Sequence, residues 1–172
     1  MTNDSPPILE FSNSLVSSLC SADLPSSLAA AQKLAGLGIG LTPSGDDFIM
    51  GALHTAWILH PPEVAGALAR EVANSAAPLT TSLSAAWIHS AGTGEAGELW
   101  HDFFDALIFA SRIGCEAPPI GGNPTYTKAL QDSFEKILSV GETSGADALS
   151  GFLGVLSHGG TNFFIDKTEH MF

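Results

Sequence analysis

Apolar residues recur at helical spacing through nearly the whole of this sequence, and the alternation of β-branched residues that marks strands is almost absent. Glycine and proline supply the punctuation. A chain patterned this way can bury its apolar stripes by packing helix on helix, so the fold class is all-α, a compact multi-helix bundle. Residues 26–35, SSLAAAQKLA, predict a small-residue helix that stops at the glycines of GLGIG. The next helix runs from about Gly45 to Leu59. Pro61 and Pro62 end it and pre-set its successor over 63–77. Thr80 or Thr81 opens a segment to about Ser90, and 96–111, 125–140 and 144–157 complete the set. The clearest loop is CEAPPIGGNP, 115–124. It separates a larger front part from a two-helix C-terminal part inside a single helical domain spanning 1–172, and the tail from 161 has no readable pattern.

Composition narrows the setting. Hydrophobic residues make up 45% and charged residues 14%, which excludes disorder as the dominant state. Eighteen acids against six bases give a formal net charge of -12, the wrong sign for nucleic acid or an anionic membrane surface. Cys20 and Cys115 offer neither metal spacing nor a disulfide framework and read as small buried apolar residues. The N-terminus has no basic residue ahead of its weakly apolar part, and no apolar run reaches membrane-spanning length. The expectation is a reduced, cytoplasmic protein whose low polar content suits an oligomer, with some apolar surface meeting a partner.

A repeat lies in the helical text. Ser44-Gly45-x-Asp47-x-Ile49-x-Gly51-x-Leu53 recurs as Ser144-Gly145-x-Asp147-x-Leu149-x-Gly151-x-Leu153, with Thr42 and Thr143 just upstream. Two helix starts of similar geometry, facing each other, are expected. Capping accounts for part of the pattern. Ser-x-x-Asp is close to a capping box, an acid in the first turn suits the helix dipole, and interior glycines are tolerable where two helices cross closely. Capping leaves Gly36, Gly38, Gly40 and the second acid, Asp46, unexplained. Glycine-rich backbone entering a helix N-terminus exposes N–H groups that cradle phosphate or carboxylate. Carboxylates beside it call for a cation or an amide as well: Mg²⁺ with a phosphorylated ligand, Asp46 being the candidate metal ligand, or a ligand carrying both amide and carboxylate.

A third cluster, PLTTSLSAAWIHSAGTGE, puts the hydroxyls of Thr80, Thr81 and Ser84 at another helix start, where a cap again competes with a ligand role. The histidines, His54 and His89 among them, fall in no metal-protease spacing and suit core or rim positions. Trp57, Trp87 and Trp100 read as core.

GLGIGLTPSGDDFIMGAL, TTSLSAAWIHSAGTGE and GETSGADALSGFLGVL, in that order, resemble a bacterial family catalogued as a domain of unknown function that includes the AllH-type subunit of oxamate carbamoyltransferase. The resemblance spans roughly 28–158. The usual Gly-Pro-Gly style of the loop stands here as Gly38-Ile39-Gly40. It implies a subunit of a heteromeric complex that converts oxalurate and phosphate to oxamate and carbamoyl phosphate in allantoin breakdown. Carried over by position, the motif residues are Gly40, Thr42, Ser44, Gly45, Asp46 and Asp47, then Thr80, Thr81 and Ser84, then Ser144, Gly145 and Asp147. Backbone N–H groups near Gly40 and Ser44 would neutralise negative charge on the ligand. Asp46 and Asp47 would hold Mg²⁺ or the ligand amide, Thr80 and Thr81 would orient it, and Asp147 would complete the acidic set.

Three readings stay open: a carbamoyl-transfer subunit, a non-catalytic scaffold whose motifs only cap and pack helices, and a metal-dependent hydrolase built on Asp46, Asp47 and Asp147. On the first, Asp46→Ala should abolish ligand binding and leave melting nearly intact.

Overall fold

The computed structural model describes residues 7–115 and 124–168. Among these residues there are eight α-helices, one 3-10 turn and no strand, so the all-α reading is correct. The helices are α1 (Pro7–Cys20), α2 (Leu24–Leu34), α3 (Ser44–Leu59), α4 (Pro62–Ala76), α5 (Ser82–Gly92), α6 (Glu98–Cys115), α7 (Pro124–Leu138) and α8 (Ser144–Thr168), with the 3-10 turn at Ala77–Leu79. Most of the loop expected at 115–124 lies outside the described residues, as do the last four. The final helix does not stop near Ser157; α8 continues to Thr168 into the stretch that has no clear pattern.

Two compact units divide the chain, Met1–Glu95 with Asp147–Phe172, and Ala96–Ala146. The first is built around α3, whose Ile49, Ala52, Leu53 and Ala56 are all buried. A helix apolar on most of its circumference belongs in the middle of a bundle. Around it, α1 contributes Leu15 and Leu19, α2 Ala31 and Leu34, α4 Leu68 and Val72, and α5 Ile88 and Ala91 to one cluster. Each leucine or isoleucine so buried contributes about 1.5–3 kcal/mol. The many alanines let neighbouring backbones approach closely.

The approach of α8 to α3 is close. A Cβ on Gly51 would collide with the carbonyl oxygen of Ala148, and one on Gly151 with the carbonyl oxygen of Phe48. Phe48 and Ala148 are equivalent positions of the repeat, as are Gly51 and Gly151, so the crossing is reciprocal. Thr55 Oγ1 donates to the Phe152 carbonyl at 2.8 Å beside it.

In the second unit, α6 and α7 join through aromatic rings. Phe103 lies 6.3 Å from Phe134, centroid to centroid, and Trp100 meets Phe103 edge-on at 6.0 Å. Ile137 is buried, and Lys136 pairs with Asp102 at 3.2 Å on the outside. No helix among the described residues is long and apolar enough to cross a membrane.

Candidate functional site

The segment from Gly36 to Pro43 leaves the end of α2 and enters α3 through a loop that only glycine can make. Gly36, Gly38 and Gly40 all take positive φ, at 74°, 129° and 93°. That answers why three glycines are needed where one stops a helix. The loop projects outward, with Ile39 94% and Leu41 74% exposed.

What fixes this loop is Asp46. Its side chain is buried, with Oδ1 accepting the Gly36 N–H at 2.8 Å and Oδ2 accepting a short hydrogen bond from Thr80 Oγ1. The carboxylate therefore ties the first turn of α3 to the loop and to the entry of α5. Thr81 adds a second tie: its hydroxyl donates to the Leu41 carbonyl at 2.7 Å and accepts the Ser84 N–H at 3.2 Å, capping α5. Gly45 closes the knot, its N–H donating to Leu37 O at 2.8 Å while its bare Cα sits against the Leu34 carbonyl. The amides of Ile39, Gly40 and Leu41 donate to no backbone carbonyl among the described residues, and the Cβ direction of Gly40 points into open space.

The capping box expected at Ser44 does not form. Pro43 occupies the N-cap, Ser44 is the first helical residue, and no side chain caps α3. Proline is pre-shaped to enter a helix and displaces the serine by one position. Instead, Ser44 lines a cleft of about 620 Å³ walled by α1 and α8, together with Asp147, Phe48, Ser12, Asn13 and His158. The buried Oδ2 of Asp147 has no hydrogen-bond partner there. The periodic side chains Asp147, Ser150, Gly154, Ser157 and His158 place one polar face of α8 on this cleft.

The expected site residues thus fall into three places. Asp46, Thr80, Thr81, Gly40 and Gly45 belong to the loop and its knot. Ser44 and Asp147 share the cleft. Ser144 and Gly145 belong to the second unit, where the Gly145 N–H donates to Val140 O at 3.0 Å and its Cα sits against the Ile137 carbonyl, repeating the arrangement at Gly45. Thr42 is half-buried beside the loop. Asp47 is buried, its N–H reaching Pro43 O at 3.3 Å. Ser84 is buried with no partner for its hydroxyl oxygen. Both Asp46 oxygens are engaged within the protein, Oδ1 by the Gly36 N–H and Oδ2 by the Thr80 hydroxyl. Among the described residues, no group of three or more His, Cys, Asp or Glu is arranged to hold a metal ion.

Of the aromatic and imidazole groups, Trp100 and His54 are buried as expected. Trp57 is half-buried, its Nε1 donating to Ala91 O at 2.9 Å. Trp87 is on the surface rather than in the core, 48% exposed. The residues that sequence reasoning missed are Ser12, Asn13 and His158. Only the i, i+4 recurrence of polar residues on two helix faces could have marked them.

No curated protein and no solved structure matches the chain. Residues 34–117, which hold the glycine loop, Asp46 and the Thr80–Thr81 pair, match the family described as oxamate carbamoyltransferase subunit AllH, and over that segment the chain is similar to this family.

Proposed function

We propose that this chain acts as a subunit of an oxamate carbamoyltransferase-type complex, in which oxalurate and phosphate yield oxamate and carbamoyl phosphate. The ligand's carboxylate or phosphate meets the glycine loop at the start of α3. The observation that carries this reading is the Asp46 knot. A buried carboxylate with two donors holds the loop in one shape, and the Ile39, Gly40 and Leu41 amides make no backbone bond among the described residues. A fixed loop with available N–H donors suits an anion because the donors need no reorganisation on binding. The matched segment contains the whole loop and both of its anchors.

In this reading Asp46 is a positioning residue, and Thr80 and Thr81 act with it, while Asp47, Ser84 and Thr42 support the same neighbourhood. The test is a thermal-shift titration with oxamate, carbamoyl phosphate and phosphate, each with and without Mg²⁺, on wild type and Gly40→Ala. An added methyl at the positive φ of Gly40 forces the loop to move. Stabilisation of the wild type that is lost in Gly40→Ala supports the site. A wild type that responds to none of the ligands, or a variant that responds equally, removes it.

One observation favours the scaffold reading. The same loop exposes Ile39 and Leu41, and α5 exposes Leu83 and Trp87. Apolar side chains this exposed suit contact with another subunit of the complex. Ile39→Ser with Leu41→Ser would then abolish co-purification with partner subunits and leave monomer melting unchanged.

A further inference from the structure

We infer that α5 and the glycine loop form one uncharged apolar face on which a second copy of this chain docks, two-fold against itself. The inference stands whatever the loop binds.

The face is continuous. α5 turns Ser84, Ile88 and Ala91 inward and leaves Leu83, Ala86 and Trp87 outward, at the i, i+3 and i+4 positions of one helix face. The N-terminal end of this stripe runs into the loop. The Thr81 hydroxyl donates to the Leu41 carbonyl at 2.7 Å, and a Cβ on Gly36 would stand 2.8 Å from the Leu79 carbonyl oxygen. Ile39, Leu41, Leu79, Leu83 and Trp87, all exposed, therefore belong to one neighbourhood. Large apolar side chains exposed singly are ordinary, but gathered on one face they mark an interaction surface.

The fold does not call for the projecting loop tip. Gly45 sits against the Leu34 carbonyl with its N–H on Leu37 O, and Gly145 sits against the Ile137 carbonyl with its N–H on Val140 O. The same contact is reached through residues 138–144 in one copy of the repeat and through the three residues longer 35–44 in the other. The added length carries Ile39 and Leu41 into solvent. Their hydration is unfavourable, and contact with another molecule relieves it.

Charge selects a second copy as that molecule. No Asp, Glu, Lys or Arg occurs in 34–45 or in 72–94, although the chain has a net charge of -12. In a two-fold contact each residue meets itself or its symmetry mate, so a charge on the face would be set near its own kind. An uncharged face is what self-pairing requires. A different protein recognising so acidic a chain would be drawn over its carboxylates. Here these begin only outside the second segment, at Glu71 and Glu95. Shape agrees. An antiparallel crossing of α5 on its copy sets the Trp87 ring of each over the small Ala86 of the other, and tryptophan is a favoured anchor of such contacts.

The experiment is sedimentation equilibrium of the full chain. The wild type should run at twice the chain mass. Raising NaCl from about 0.05 to 0.5 M should tighten the dimer, since salt screens the repulsion between two acidic chains and there is no ion pair in the contact to lose. Trp87→Glu should raise the dimer Kd at least about thirtyfold, as for a central anchor, with circular dichroism showing that the variant is folded. Should it fail to fold, Ala86→Glu takes its place, at an exposed position that suits glutamate in a helix, and the same rise is expected. Leu153→Glu, on the exposed side of α8, is the control and should leave the dimer intact. Because the variants are on α5 and leave the loop residues in place, loss of the dimer is distinguishable from loss of ligand binding at the loop. A wild type that stays monomeric at about millimolar concentration would overturn the inference and leave the face to a different subunit. A dimer that salt dissociates, that survives a folded Trp87→Glu or Ala86→Glu, or that Leu153→Glu breaks equally well would overturn it too.

Discussion

Gly51 lies against the carbonyl oxygen of Ala148 with no room for a methyl group between them, and Gly151 meets Phe48 in the same way. By intrinsic propensity, alanine in the middle of a helix would be better than glycine by about 1 kcal/mol. Here the clash is with backbone, which cannot rotate away, so packing outweighs propensity. Gly51→Ala and Gly151→Ala should each destabilise by about 1–3 kcal/mol, read from urea denaturation midpoints. Gly97→Ala, with open space around it at the N-cap of α6, is the control and should cost only the cap preference, less than either crossing variant. Equal midpoints for all three variants would mean that the two helices do not cross here.

Asp46 carries a different load from the one its sequence context suggests. Read as a metal or ligand group, it could be removed without loss of folding. In the structure its carboxylate accepts from Gly36 N–H and Thr80 Oγ1 in a buried setting. Asp46→Ala strands both donors and should destabilise by about 2–4 kcal/mol. Thr80→Ala removes one partner and should cost less, and the double variant should fall short of the sum by at least about 0.5 kcal/mol because the two side chains act as a pair. Chemical denaturation of the four proteins measures this. An additive cycle would show that the pair does not form.

How far the sequence could lead is plain from these same residues. Helix order was readable because the apolar spacing agrees with the burial of Leu34, Ile49, Leu53, Val72 and Ile88. The repeat was readable too, and so was a close helix crossing as a reason for its interior glycines. What spacing could not reveal was partnership across the chain. Thr80 is far from Asp46 in sequence, and nothing local says that its hydroxyl is the donor. Ser44 looked like a cap because serine usually is one, but Pro43 takes that position. The cleft was invisible for the same reason: Asn13 and Asp147 come from opposite ends of the chain, and each taken alone is an ordinary polar residue on a helix.

Asp23 makes stability respond to acid. It caps α2, accepting the Ser26 hydroxyl at 2.6 Å and the Ser26 N–H at 3.3 Å, and these bonds hold its carboxyl below the usual carboxylate range. A group depressed in the folded state stabilises fully above its ordinary value and loses that contribution as pH falls through the depressed one. Asp23→Ala should lower the melting temperature at neutral pH. The gap from wild type should then close as the solution is acidified through the carboxylate range. Parallel melting curves at every pH would show that the carboxylate charge plays no part in the cap.

Cys20 works in the opposite direction. It is half-buried at the end of α1, with its Sγ donating to the Val155 carbonyl at 3.4 Å and Gly159 leaving room for it on α8. Burial pushes its thiol up from the ordinary value, because the thiolate would lose solvation. Fewer thiolates mean slower alkylation. In a Cys115→Ser background, iodoacetamide should label Cys20 several-fold more slowly in the native protein than in urea at the same pH. The linkage follows in sign. As pH rises past the ordinary thiol value, the unfolded chain ionises first, so Cys20 draws stability down on the alkaline side. Cys20→Ala should remove that alkaline decline while leaving the acid limb set by Asp23 unchanged. Native labelling as fast as in urea would mean that the thiol is not buried against α8.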